Sequence, residues 1–143
     1  MNREIEFRGK RLDNGEWMYG DLMRDDQGGC YIYPLDGLGL FVENKVDPDT
    51  VGQFTGLVDK NGVKIFEGDI VRHPYVDPIF RDFVDSKDGE GVTSEVGFHD
   101  GAFVVKNAED DFIYLDGFTR KERAEVVGNI HDNLELLDVR SAR

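Results

Sequence analysis

Three tight-turn steps, Asn14-Gly15, Asn61-Gly62 and Asp100-Gly101, punctuate a chain whose intervening segments are short and alternate in polarity. Such dipeptides tolerate positive φ and are the strongest short-range signal for a β-hairpin. The segments beside them read as strands. In REIEFRGK, Ile5 and Phe7 fall on one side and Glu4, Glu6 and Arg8 on the other, the period of a half-buried strand. Helical periodicity is almost absent. Strands of four to seven residues with turn signals every 8–12 residues point to an all-β fold of small sheets and barrels.

Residues 3–9 and 16–24 are expected to pair as a hairpin around Asn14-Gly15, followed by strands at 28–34 and 39–44. This makes 1–50 a small antiparallel subdomain. Asp47 and Pro48 suit the cap and first position of a single helical turn, the joint to a second subdomain over 51–143. There, GQFTGLVDKNGVKIFEGDIV reads as a hairpin on Asn61-Gly62 and then a corner at Gly68-Asp69. Residues 74–91, with two prolines and four aspartates around Ile79, Phe80, Phe83 and Val84, form a long excursion. Further strands are expected near 92–98, 102–106, 112–115 and 125–130. A closing short turn or helix would tuck Leu134, Leu136 or Leu137 against the core.

At 143 residues with 39% hydrophobic side chains, a real core needs no disulfide or metal staple. The single cysteine, Cys30, excludes an internal disulfide and fits a reducing compartment. The start, Met1-Asn2-Arg3-Glu4, lacks a basic segment followed by an apolar run, so no signal peptide is expected, and no apolar run is long enough to span a membrane. The charge is 17 basic against 30 acidic residues, −13 net, and acidic throughout: residues 1–50 hold 6 and 11, leaving 11 and 19. A broad basic footprint for nucleic acid is missing.

The segments REIEFRGKRLDNGEWMYGDL (3–22), VDPDTVGQFTGLVDKNGVKIFEGDIV (46–71) and VVGNIHDNLELL (126–137) together resemble the YopX family of small phage and prophage proteins. The resemblance implies a mostly β fold with one or two short helical turns, an N-terminal antiparallel sheet packed on a C-terminal SH3-like barrel. It also implies a cytoplasmic setting in a bacterial host. It brings no established enzymatic activity, the family being largely uncharacterised, and no catalytic residues carry over. His131 and Leu134 stand where members often have an aromatic residue and a proline, and 74–91 falls outside the matching segments.

No constellation for catalysis, cofactor or metal emerges. His73, His99 and His131 are scattered, and the neighbours His99-Asp100 and His131-Asp132 would face opposite sides of a strand. Glu109, Asp110 and Asp111 lack calcium-ligand spacing, and no phosphate loop or nucleophile elbow is present. Cys30 reads as a buried strand thiol. Gln53, Thr55, Asp59, Lys60 and Asp69 are a candidate polar rim, although turn-shaping glycines and an Asp69 cap at the corner are the favoured explanation. Phe80, Phe83 and Val84 are the candidate partner contacts. Aromatic residues Trp17, Tyr19, Tyr31 and Tyr33 crowd adjacent N-terminal strands. The expectation is a non-enzymatic accessory protein acting through an unidentified protein partner or self-association. The alternatives are an acidic decoy of a nucleic-acid-binding protein, or a nucleic-acid-binding SH3-like module using Arg3, Arg8, Lys10 and Arg11 or Arg120, Lys121 and Arg123.

Overall fold

A computed structural model describes residues 2–34, 44–76, 83–84, 91–106, 112–119 and 123–137, with the backbone alone for 75–76, 83–84 and 112. Its regular structure is β apart from three single helical turns among the described residues, Pro48–Thr50, Asp116–Thr119 and Leu134–Leu136. None is long and apolar enough to cross a membrane. The chain divides into two compact units, Met1–Gly56 and Leu57–Arg143.

In the first unit, strands β1 (Phe7–Lys10), β2 (Trp17–Arg24), β3 (Cys30–Tyr33), β4 (Lys45–Val46) and β5 (Gly52–Val58, whose last two residues begin the second unit) lie in the antiparallel order β4-β3-β2-β1-β5. β2 pairs with β1 through its first half, from Lys10↔Trp17 to Phe7↔Gly20. Its second half pairs with β3, from Asp21↔Tyr33 to Arg24↔Cys30. Alternation then sends Phe7, Met18, Leu22, Cys30, Ile32 and Val46 to one face, where Val51 joins them as the core. Asp47 caps the turn Pro48–Thr50 by accepting from the Asp49 amide at 3.0 Å. Thr50 Oγ1 in turn accepts the Lys10 amide at 2.8 Å, fastening the turn to β1. Residues 39–43 of the strand expected at 39–44 lie outside the described residues.

In the second unit, β6 (Lys64–Phe66) returns beside the end of β5. The Asn61-Gly62 loop is a three-residue connection. Gly62 donates to Asp59 O at 3.0 Å and sits at φ +81, while Asp59 donates to Val63 O at 2.8 Å. That is a type I turn with a glycine bulge rather than a two-residue hairpin. At Asp100-Gly101 both residues have positive φ, +50 and +81, and join β10 (Val92–His99) to β11 (Ala102–Lys106) by the two-residue turn the sequence predicts. The corner at Gly68, φ +88, donates to Val96 O and accepts from the Ile130 amide. It opens β7 (Asp69–His73).

The expected SH3-like barrel is not closed among the described residues. β7, β10, β11, β12 (Phe112–Tyr114) and β13 (Glu125–Asn129) form an open antiparallel sheet in the order β12-β11-β10-β7-β13. Closure would require β12 and β13 to pair. β12 has three residues, and β13 is shifted by a bulge between Val126 and Gly128. A separate pair, β8 (Tyr75–Val76) and β9 (Phe83–Val84), lies within the excursion; the rest of 77–90 is outside the described residues. One sheet face gathers Val71, Val96 and Val105 with Ile65, Leu115, Phe118 and Ala124. Each buried Val, Ile, Leu or Phe side chain among them contributes about 1.5–3 kcal/mol. Leu134 and Leu136 are not tucked in: they are 60% and 37% exposed, and the Thr93 hydroxyl donates to Leu136 O at 2.8 Å. That turn docks by its backbone.

Gly20 is the residue on which the first sheet turns. Its φ is +157, and a Cβ there would meet Tyr33 O at 2.0 Å and Tyr33 C at 2.6 Å. Gly15, at φ +73, has nothing within 4 Å of an added Cβ. In urea unfolding, Gly20→Ala is expected to cost about 2 kcal/mol or more, because backbone must move. Gly15→Ala is expected to cost about 1 kcal/mol for the dihedral alone. Equal costs would contradict the contact argument.

Candidate functional site

The polar residues of 53–69 separate by role. Asp59 is 5% exposed. Its Oδ1 accepts from the Asn61 amide at 2.8 Å and the Val63 amide at 2.9 Å, and its Oδ2 from the Val126 amide at 2.9 Å. Both carboxylate oxygens are thus engaged by backbone N–H groups, the stronger charge-assisted kind of bond. Lys60 reinforces the same junction. Its amide donates to Ala124 O at 3.0 Å and its Nζ lies 3.5 Å from Glu125 Oε2. Asp69 is 3% exposed, and its Oδ2 accepts from the Phe66 amide at 2.8 Å across the Gly68 corner. Gln53 and Thr55 are half-buried on β5 in the first unit. Of the five, Asp59 and Lys60 meet on one turn, and the two aspartates shape backbone.

Of the candidate contacts in the excursion, Phe83 and Val84 form β9, paired with Val76 and Tyr75, and Phe80 lies outside the described residues. Exposed apolar side chains of the second unit include Phe98, Tyr114 and Leu134, more than half exposed. Phe98 packs edge-on to Phe103 with ring centroids 5.1 Å apart. Those of the first unit include Leu12, Tyr19 and Met23. His99 and Asp100 do meet, at 3.2 Å. The left-handed φ of Asp100 ends the strand alternation that would have separated them. His131 is exposed on a turn organised by Asn129, whose Oδ1 accepts from the His131 and Asp132 amides at 2.9 Å. Among the described residues no three His, Cys, Asp or Glu side chains converge on a metal position. Glu109, Asp110 and Asp111 lie outside them.

One polar pair was missed by motif reading. His73 and Ser94 are each 2% exposed and bonded to each other, Nε2 to Oγ at 2.8 Å. His73 Nδ1 lies 2.8 Å from Pro74 O, so Nδ1 carries the proton and Nε2 accepts from the serine hydroxyl. The imidazole also packs on the Phe118 ring, 4.4 Å between centroids. A serine bonded to a histidine is the contact of an activated nucleophile, but here both groups are sealed in the core and the second ring nitrogen meets a carbonyl in place of a carboxylate. The signal was alternation: His73 shares a face with Val71, and Ser94 with Val96.

Burial pushes the His73 pKa below its ordinary 6.5, outweighing the Pro74 carbonyl, which favours the charged ring. Below about pH 6.5 the unfolded chain therefore takes up a proton that the folded one resists, and stability falls as pH drops. Between about pH 7.5 and pH 5.5, urea unfolding should show a total loss from this group of up to about 1.4 kcal/mol, most of it below pH 6.5. His73→Gln should flatten that slope; an unchanged slope would refute the assignment. Separately, Asp59→Asn turns an amide donor towards an N–H and should cost about 2–3 kcal/mol at neutral pH, read in the same assay.

Comparison with solved structures finds a similar fold in the crystal structure of protein EF1440 from Enterococcus faecalis, at 23% identity and a TM-score of 0.58, covering 96% of this chain and 100% of that one. A comparison with curated proteins gives no match. The YopX protein family model matches residues 6–138, which takes in both sheets, the Asp59 turn and the Gly68 corner, and the chain belongs to the YopX family.

Proposed function

We propose that this protein is a non-enzymatic phage or prophage accessory protein that works in the bacterial cytoplasm through protein–protein contacts or self-association. The observation that carries this reading is the apolar surface of the second unit. Phe98, Tyr114 and Leu134 are 58%, 67% and 60% exposed. Tyr114 lies on β12, an edge strand of the sheet. Large exposed apolar side chains and open strand edges are the ordinary means of docking a partner chain. The buried groups with chemical potential support the same reading, since Asp59, Asp69, His73 and Ser94 are engaged in holding backbone and core together.

The excursion is the second part of the proposal, with Phe80, Phe83 and Val84 as its contacts. Its roots are close: a Cβ on Gly91 would stand 2.4 Å from His73 O. Replacing 75–90 by a short glycine-serine linker therefore leaves the sheet ends where they are. Affinity capture from host lysate with both forms should recover a partner with the intact chain and lose it with the shortened one. Equal recovery would sink the role of the excursion. Light scattering on Tyr114→Asp tests self-association through β12; an oligomer that survives the substitution would place the contact elsewhere.

A further inference from the structure

The face of the first sheet opposite its core carries a row of aromatic side chains. β1 pairs with one half of β2 and β3 with the other, so the row crosses the sheet diagonally. The registers Lys10↔Trp17, Arg8↔Tyr19, Asp21↔Tyr33, Met23↔Tyr31 and Tyr31↔Lys45 fix its order. Lys10 stands at one end, then Trp17, Tyr19, Tyr33 and Tyr31, then Lys45. The alternate residues Met18, Leu22, Cys30, Ile32 and Val46 fill the core on the other side. Successive ring positions along such a row are about 7 Å apart, whether two residues along a strand or diagonal across a pair. Tyr19 is 45% exposed, Lys45 is exposed, and Trp17, Tyr31 and Tyr33 are half-buried.

Two further contacts shape this face. Arg8 is buried at 6% exposure with its guanidinium carbon 4.6 Å from the Trp17 ring centroid, and Lys10 Nζ lies 5.4 Å from the same centroid. The indole is thereby held in place by cations along one side. At the other end Tyr31 OH donates to Asp25 Oδ2 at 3.1 Å, which orients that ring. Asp21 is the carboxylate within the row. Glu6 is buried before β1, and Asp13, Glu16, Asp25, Asp26, Asp47 and Asp49 lie in turns outside it.

We propose that this face binds single-stranded nucleic acid, with bases stacked on the Trp17–Tyr19–Tyr33–Tyr31 row and phosphates against Lys10 and Lys45. A ligand matching the face must offer planar groups at regular steps and negative charge beside them. A single strand supplies both, and a duplex hides its planar faces. An acidic peptide supplies the charge without a ring at each step. The −13 charge of the chain opposes long-range attraction of a polyanion. Binding is therefore carried by stacking at short range. With at most two phosphates neutralised, the slope of log affinity against log salt is no steeper than about −1.5.

Trp17 is the chain's only tryptophan, so its emission reports directly on this face. Full-length protein titrated with a thymidine oligonucleotide of about 12 nucleotides should show saturable quenching. Tyr19→Leu keeps bulk at an exposed site and removes the ring; it should weaken binding about fivefold or more. Lys45→Glu, also exposed, should weaken it and flatten the salt slope. Circular dichroism checks that both variants fold. Absence of quenching by the oligonucleotide, or quenching that both variants leave unchanged, would overturn the proposal. Equal quenching by polyglutamate of the same charge would also overturn it and assign the face to an anionic polypeptide.

Discussion

The carboxylate of Asp59 is the pin of the second unit. Three backbone N–H groups converge on it: two from its own turn, one from Val126 at the far end of the chain. Without it, the turn would lose its internal bonds and β13 would lose one of the fastenings that hold it beside the hairpin. Burying a charge is costly unless every lone pair finds a donor. Here the donors are amides that would themselves be stranded, so two liabilities cancel. The Lys60–Ala124 backbone bond beside it shows that the whole turn, and not one side chain, grips that strand.

The same economy describes other polar residues of the unit. Asp69 closes a corner, Asn129 organises a turn, and Ser94 satisfies a histidine in the core. A sheet with many tight connections generates many unpaired amides at its corners. Short acidic and amide side chains are the residues able to reach them. The surface carries exposed aromatic side chains, strand edges and, on the first sheet, a face where cations and rings alternate with the core-directed residues.

How much of this was legible in the sequence depends on the range of the interaction. Asp100-Gly101, the Asp47 cap and the Gly68 corner are local, and their geometry follows from which side chains tolerate positive φ or cap an amide. The all-β class followed from period-2 alternation. The Asn61-Gly62 hairpin was legible as a turn, but its bulged form was not. Barrel closure was unreadable because alternation assigns faces and leaves strand order open. Which leucine of the closing turn packs was open for a related reason: Leu134 and Leu136 face outward, and Leu137 is half-buried. Hydrophobicity argues for burial, whereas a backbone bond to Thr93, 43 residues away, decides the docking. The Asp59–Val126 and His73–Ser94 contacts are long-range as well, and only their faces could be read in advance.

β7 sits between β10 and β13, and β13 comes from the end of the chain. That placement imposes a schedule on synthesis. When β7 leaves the ribosome, neither neighbour exists. Its Ile70 and Val71, which end fully buried, wait in water beside open backbone hydrogen bonds until residues 92–99 and then 125–129 emerge. In the first unit β1, β2 and β3 follow one another directly, so β1 and β3 each gain one neighbour at once and wait only on the other edge, for β5 and β4. Long-range pairing is slow pairing. A ribosome stalled before residue 125 therefore carries a second unit with one edge of β7 unsatisfied, a hazard that grows with the rate at which such chains are made together.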